Sequence, residues 1–185
     1  FLSAALALDL AALLPGAGRG LPHAARFLLA AGIAAALFGY GLYEAASLRV
    51  ERLRIAVPGL QERGAPFRIV QVSDLHLGHL QGRRLLTRVV RRIRAERPDL
   101  VVATGDLVDA RLSEDASLEF SRIWNELAPP HGKFAVTGNH EFYAGLRRAA
   151  AFLESAGFRL LRGETLRVAG FVELAGVDDP AGRHV

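Results

Sequence analysis

Three short polar clusters stand out in the chain: Asp74 with His76, Asp106 with Asp109, and Asn139 with His140. Asp74 to Asp106 is 32 residues and Asp106 to Asn139 is 33, so the clusters recur at nearly one interval. Their side chains offer carboxylate, imidazole and amide oxygen donors without sulfur. Such donors suit Mn²⁺, Fe, Zn²⁺, Ni²⁺ or Mg²⁺ rather than copper(I) or iron–sulfur clusters. Asp74 and His76 flank a single residue, so an extended backbone turns both side chains to the same side, where they can share one ion. Asp106 has two oxygens and can bridge two cations, and Asn139 offers a neutral oxygen to the second. Two cations ~3.5–4 Å apart clamp a phosphoryl group, lower the pKa of a bound water and stabilise both attacking and leaving oxygens. The absence of cysteine excludes disulfides, zinc fingers and thiolate catalysis.

Each cluster follows a short apolar run that reads as a buried strand: Phe67 to Val72, Leu100 to Thr104 and Lys133 to Thr137. Between the first two, Gly82 to Arg97 places Leu85, Leu86, Val89, Val90 and Ile93 on one helical face. Ser113 to Leu127 and Tyr143 to Ala156 are predicted as further helices. Leu48 to Val57 alternates apolar and polar residues and predicts a half-buried strand. Strands alternating with helices imply βαβ units around a buried sheet. Ligands of open α/β sheets sit at the carboxyl ends of the strands, where all three clusters would converge.

The motifs D-x-H, G-D-x-x-D and G-N-H-E, in that order from Asp74 to Glu141, resemble the calcineurin-like metallophosphoesterase family. The resemblance covers residues from about 66 to 185 and implies an α/β fold: a two-sheet sandwich with flanking helices and a dinuclear centre. By that resemblance Asp74 and His76 hold the first metal, Asp106 bridges, and Asn139 binds the second. His140 would contact the phosphate and assist the leaving group, oriented by Asp109. Gly176 to Pro180, taken with the apolar N-terminus, resembles a branch of membrane-associated phosphodiesterases with lipid-directed members. The family's pattern continues with a further histidine and a G-H-x-H motif, which His184 in R-H-V does not match. Those ligands are expected beyond Val185. Residues 49–185 by themselves are therefore expected to bind at most one weak metal equivalent and to be inactive.

Residues 1–48 differ from the rest. Leu2 to Ala17 is apolar apart from Ser3 and Asp9, and Phe27 to Tyr43 carries no charge. A spanning helix needs ~20 mostly apolar residues. A transmembrane helical hairpin over 1–48 is therefore expected to precede the catalytic domain, which takes up 49–185. Arg19 and Arg26 in the connecting loop favour its cytoplasmic placement, which sends the domain outside a bacterial-type inner or plasma membrane; Arg49, Arg52 and Arg54 pull the other way.

The net charge of +4 and the pI near 10.3 come from 23 basic residues, all arginine except Lys133. That skew resembles GC-rich coding. The arginine face of the helix from Gly82 to Arg97 is read as a solvated face, and no nucleic-acid partner is expected, since no aromatic residues interleave with it. His79 and His131 are read as loop residues, His23 as part of the loop between the spans, and Asp178 and Asp179 as a turn. The leading function is a membrane-anchored phosphoesterase that splits a phosphodiester or pyrophosphate bond. Lipid-linked and nucleotide-sugar diphosphates are the substrates that the anchor suggests. The alternative is a non-enzymatic tethered module that binds anionic lipid or nucleic acid through its arginine helix, and such a module has no need of three intact ligand clusters.

Overall fold

The computed structural model describes residues 22–58, 66–78, 82–109 and 112–180. Four parallel strands form one sheet: β1 (Ile69–Val72), β2 (Leu100–Thr104), β3 (Lys133–Val136) and β4 (Phe158–Leu160), side by side in that order. Val72 lies opposite Ala103, and Ala103 opposite Ala135, so the carboxyl ends of β1, β2 and β3 are level. That register is what brings the three polar clusters to one edge of the sheet.

Helices connect successive strands. α2 (Arg83–Ala95) buries Leu86, Val89, Val90 and Ile93, the face that its periodicity predicts, and turns its arginines outward. Arg83 pairs with Glu119 and Arg94 with Glu126. α3 (Glu114–Trp124) starts where the Ser113 hydroxyl accepts from the Ala116 N–H, with Glu114 and Asp115 in its first turn. Both features satisfy and neutralise the positive end of a helix.

The single helix predicted from Tyr143 to Ala156 is instead two: α4 (Asn139–Ala144) and α5 (Leu146–Ser155). Gly145 between them has φ +97°, a left-handed backbone that glycine adopts without a Cβ clash and that breaks the helix. α5 packs on α3 and β4 and buries Ala149, Phe152 and Leu153.

Beyond the sheet, β5 (Glu164–Val168) and β6 (Val172–Gly176) form an antiparallel hairpin. Val168 packs in one cluster with Leu100, Phe134 and Leu161, joined by Val102, Val136, Leu166, Val172 and Leu174. Alternate residues of a strand face opposite ways, so Val101, Ala103 and Ala135, all buried, point to the helical side. The sheet is thus covered by helices on one face and by the hairpin on the other, the sandwich expected of the family.

The chain divides into two compact units after Arg54. In the first, α1 (His23–Ala46) holds an 18-residue window, Phe27–Glu44, of mean hydropathy 1.5 and only 6% buried. By length and composition it is one helix able to cross a membrane; its helical backbone already includes His23, which the sequence placed in a loop. Tyr40 donates to Glu44, and Arg49 grips the same carboxylate through two contacts of 2.6 and 2.7 Å. The other apolar run, Leu2 to Ala17, lies outside the described residues.

Leu48 to Val57 is not a strand. Leu53 is 88% and Ile55 79% exposed. Alternation prepares two faces, but a strand exists only where a neighbouring strand completes its hydrogen bonds, and among the described residues no strand forms a ladder with this segment.

Candidate metal centre

The backbone continues past β1 and β2 as two loops tied to each other. The Asp74 N–H donates to Gly105 O at 3.3 Å, His76 N–H to Asp106 O at 3.0 Å, Leu77 N–H to Leu107 O at 2.8 Å, and Asp109 N–H back to Leu77 O at 3.1 Å. Leu75, Leu77, Leu107 and Val108 are buried beneath, so the hydrophobic residues of each motif root it in the core while its polar residues stay above.

The loops are not extended, as the Asp74–His76 argument supposed. Asp74 has φ +55°, His76 +45° and Asp106 +54°. Asp and His tolerate this left-handed region better than most side chains, yet each such residue still costs of order 1–3 kcal/mol. The backbone ladder and the buried leucines hold them there. The expected proximity is nevertheless met: His76 Nε2 lies 3.9 Å from Asp74 Oδ1.

Asp106 and the third cluster meet across a tight gap. The His140 N–H donates to Asp106 Oδ1 at 3.0 Å. A Cβ on Gly138 would stand 2.2 Å from that same oxygen, so only glycine admits the carboxylate here. Nδ1 of His76 lies 3.7 Å and Nδ1 of His140 2.6 Å from Asp109 Oδ1, and the two imidazoles meet edge to face at 4.5 Å. Asn139, half-buried, opens α4 between Gly138 and His140.

Two ligand groups result: Asp74 with His76 and Asp106, and His76 with Asp109 and His140, each with its donor atoms within 4.8 Å of one another. Among the described residues no lysine or arginine pairs with Asp74 or Asp106. Two carboxylates and an imidazole converging without a cationic side chain are a donor set that fits a divalent cation.

Glu141 is the site residue that sequence reasoning passed over. It is fully buried, and its carboxylate accepts four backbone N–H groups: those of Asp106 and Gly138 at Oε2, 2.9 and 2.8 Å, and those of Leu107 and Val108 at Oε1, 2.9 and 3.1 Å. The signal was its place three residues after Gly138 at a helix start, where a glutamate reaches back to the cap N–H.

Asp178 does more than turn the chain. It accepts two bonds from Arg162 Nε at 2.9 and 3.0 Å and one from Thr137 Oγ1 at 3.1 Å. The Arg162 guanidinium, and secondarily the Thr137 hydroxyl, hold the Asp178 carboxyl below the usual carboxylate range. His131 lies in an exposed turn with its ring 5.4 Å from that of Phe67, away from the cluster. His79 and His184 lie outside the described residues.

A family model described as calcineurin-like phosphoesterase matches residues 67–182. An uncharacterized metallophosphoesterase of Aquifex aeolicus is 42% identical over 154 residues, which cover 83% of this chain and 58% of the relative. A transmembrane protein with metallophosphoesterase domain from Danio rerio is 34% identical over 160 residues, covering 82% and 36%. The UDP-2,3-diacylglucosamine pyrophosphatase LpxG of Chlamydia trachomatis is 38% identical over 95 residues, covering 51% and 29%. The chain thus spans 58% or less of the length of these relatives.

Proposed function

The chain belongs to the calcineurin-like phosphoesterase family, and from that premise we propose that the protein hydrolyses a phosphodiester or pyrophosphate bond at two divalent cations. The convergence of Asp74, His76, Asp106, Asp109 and His140 at one end of the sheet carries this reading. A tethered binding module built on the arginines of α2 would need none of it.

In this reading Asp74 and His76 would hold the first cation, Asp106 would serve both, and Asn139 would serve the second. When bound, the cations supply Lewis acidity toward the phosphoryl oxygens and make a water acidic enough to act as nucleophile. The His140 N–H fixes one oxygen of Asp106 and so orients the other. Asp109 accepts from Nδ1 of His140, and Nε2 is the nitrogen that hands a proton to the departing oxygen.

The Chlamydia relative is named for a lipid-bearing nucleotide-sugar diphosphate. That similarity, together with the exposed apolar surface of α1, supports lipid-linked and nucleotide-sugar diphosphates as the substrate class. We place 1–48 in a bacterial-type inner or plasma membrane and the 49–185 domain on its outer side, following the arginines of the first loop. The test is hydrolysis of an aryl phosphodiester by the whole protein with Mn²⁺. Turnover should vanish with a chelator and return with metal. Activity indifferent to chelation would overturn the proposal.

A further inference from the structure

We propose that Glu141 is a positioning residue: its buried carboxylate sets the spacing of the Asp106 loop and the Gly138–His140 turn, and through it the affinity of the site for divalent cations. This rests on the metal reading above and extends it to a residue that binds no metal in that reading.

The four N–H groups that Glu141 accepts belong to two loops that no strand ladder joins. Oε2 takes one from each loop, Asp106 and Gly138, and so spans the gap between them in a single atom. Oε1 takes the next two of the Asp106 loop, Leu107 and Val108. A carboxylate has about four lone-pair sites, and here each is used. Bonds to an ionised acceptor in a dry site are stronger than neutral ones, so the clamp is stiff.

What it clamps is delicate. Asp106 keeps a left-handed backbone at φ +54°, and its Oδ1 fits against Gly138 with no room for a methyl group. A slight parting of the loops would break the His140 N–H bond to that oxygen and carry the shared carboxylate away from Asn139 and His140, while the backbone ladder keeps it beside Asp74 and His76. Glutamine cannot replace Glu141, because its NH₂ would face two of the four donors. Aspartate keeps the charge but is one methylene short of the gap.

Groups that support metal ligands from behind typically change metal affinity 10–100-fold when altered. The whole protein and its Glu141→Gln and Glu141→Asp variants should be titrated with Mn²⁺ by calorimetry, with native Trp124 fluorescence as the check on folding. Hydrogen exchange should be followed at Asp106, Leu107, Val108 and Gly138 in the metal-free state. We expect Glu141→Gln to weaken Mn²⁺ binding about 10–100-fold and to speed exchange at those four amides, with Glu141→Asp between it and the parent. If the glutamine variant fails to fold, the aspartate variant decides: weaker binding supports the clamp, and parental affinity overturns it. Parental Mn²⁺ affinity in a folded glutamine variant overturns it as well. Absence of Mn²⁺ binding in the unaltered protein would instead overturn the metal reading, while exchange at the four amides would still judge the clamp.

Discussion

Nδ1 of His140 lies 2.6 Å from Oδ1 of Asp109, joining the end of the β2 loop to the first turn of α4. The carboxylate fixes which ring nitrogen carries the bound proton and leaves Nε2 for exchange. The Asp109 side chain is about half exposed, and the neighbouring His76 ring, edge to face at 4.5 Å, packs against the His140 imidazole from another side.

His140→Ala should therefore leave metal content intact and lower turnover by roughly 10²–10⁴-fold, the range of a positioned proton-transfer group. Metal analysis of the purified variant checks the division of labour. Empty sites would make His140 a ligand instead.

Asp106→Ala should be more damaging than any other single change in the site. It removes the one carboxylate shared by both ions and releases the His140 N–H. Turnover should fall to background at any Mn²⁺ concentration. Mn²⁺ should also raise the melting temperature of the parent, since a ligand at a hundred times its Kd stabilises by about 2.7 kcal/mol, and this gain should disappear in the variant. Near-parental turnover with metal supplied would show that no shared carboxylate is needed.

Lys133 makes a prediction about pH. It is the chain's single lysine, at the start of β3 and at the end of the sheet away from the site. Its ammonium donates to Trp124 O and Ala156 O, both at 2.7 Å, at the ends of α3 and α5. Burial lowers its pKa to about 8 from 10.5. The folded state thus releases this proton more readily than the unfolded state, so stability should rise as pH climbs from 8 towards 10.5 and be flat with respect to this group below 8. Denaturant unfolding followed by Trp124 fluorescence at pH 7.5–10 tests this. Lys133→Met should be less stable overall, since Ala156 O loses its ammonium donor and Trp124 O keeps only the Leu127 N–H, and should lack the rise. A rise that persists in the variant would assign it to other groups.

Much of the centre was legible because its residues follow strands whose buried runs are unambiguous. Leu100 to Thr104 appears in the structure with the bounds that its sequence gives. The level ends of β1, β2 and β3 then follow from near-equal spacing, 32 and 33 residues. Less legible was whatever depends on a partner distant in sequence. The alternation of Leu48 to Val57 looks like a strand, yet among the described residues no neighbouring strand pairs with it, whereas β5 and β6 were passed over and owe their place to Leu100 and Phe134. The left-handed turns at Asp74 and His76 are a property of the paired loops, not of D-x-H itself. Glu141 was passed over for another reason: its place three residues after Gly138 signals the bond back to the cap N–H, but the three amides it takes from the Asp106 loop come from a segment distant in sequence.

The link from Arg162 through Asp178 to Thr137 should behave as a support for the turn that follows β3. Thr137 is buried and directly precedes Gly138, so its hydroxyl bond to Asp178 anchors the residue from which the Asn139–His140 turn departs. The Asp178 carboxyl is held below its ordinary pKa of 3.8, first by the Arg162 hydrogen bonds. A depressed carboxyl contributes stability that is complete above the unfolded value and lost as pH falls through the folded one. Because Arg162 and Asp178 are both partly exposed, solvent screening limits the pair to about 1 kcal/mol. Asp178→Asn should therefore cost about that much at pH 7 and progressively less as the pH falls below the ordinary 3.8. Thr137→Val should keep the ion pair and its acid sensitivity, yet reduce turnover of the whole protein with Mn²⁺, because the turn loses its anchor. Denaturation series at pH 3 and pH 7 separate the two variants. Equal losses for Asp178→Asn at both pH values would show that the carboxylate charge contributes nothing and that the contact acts through shape alone.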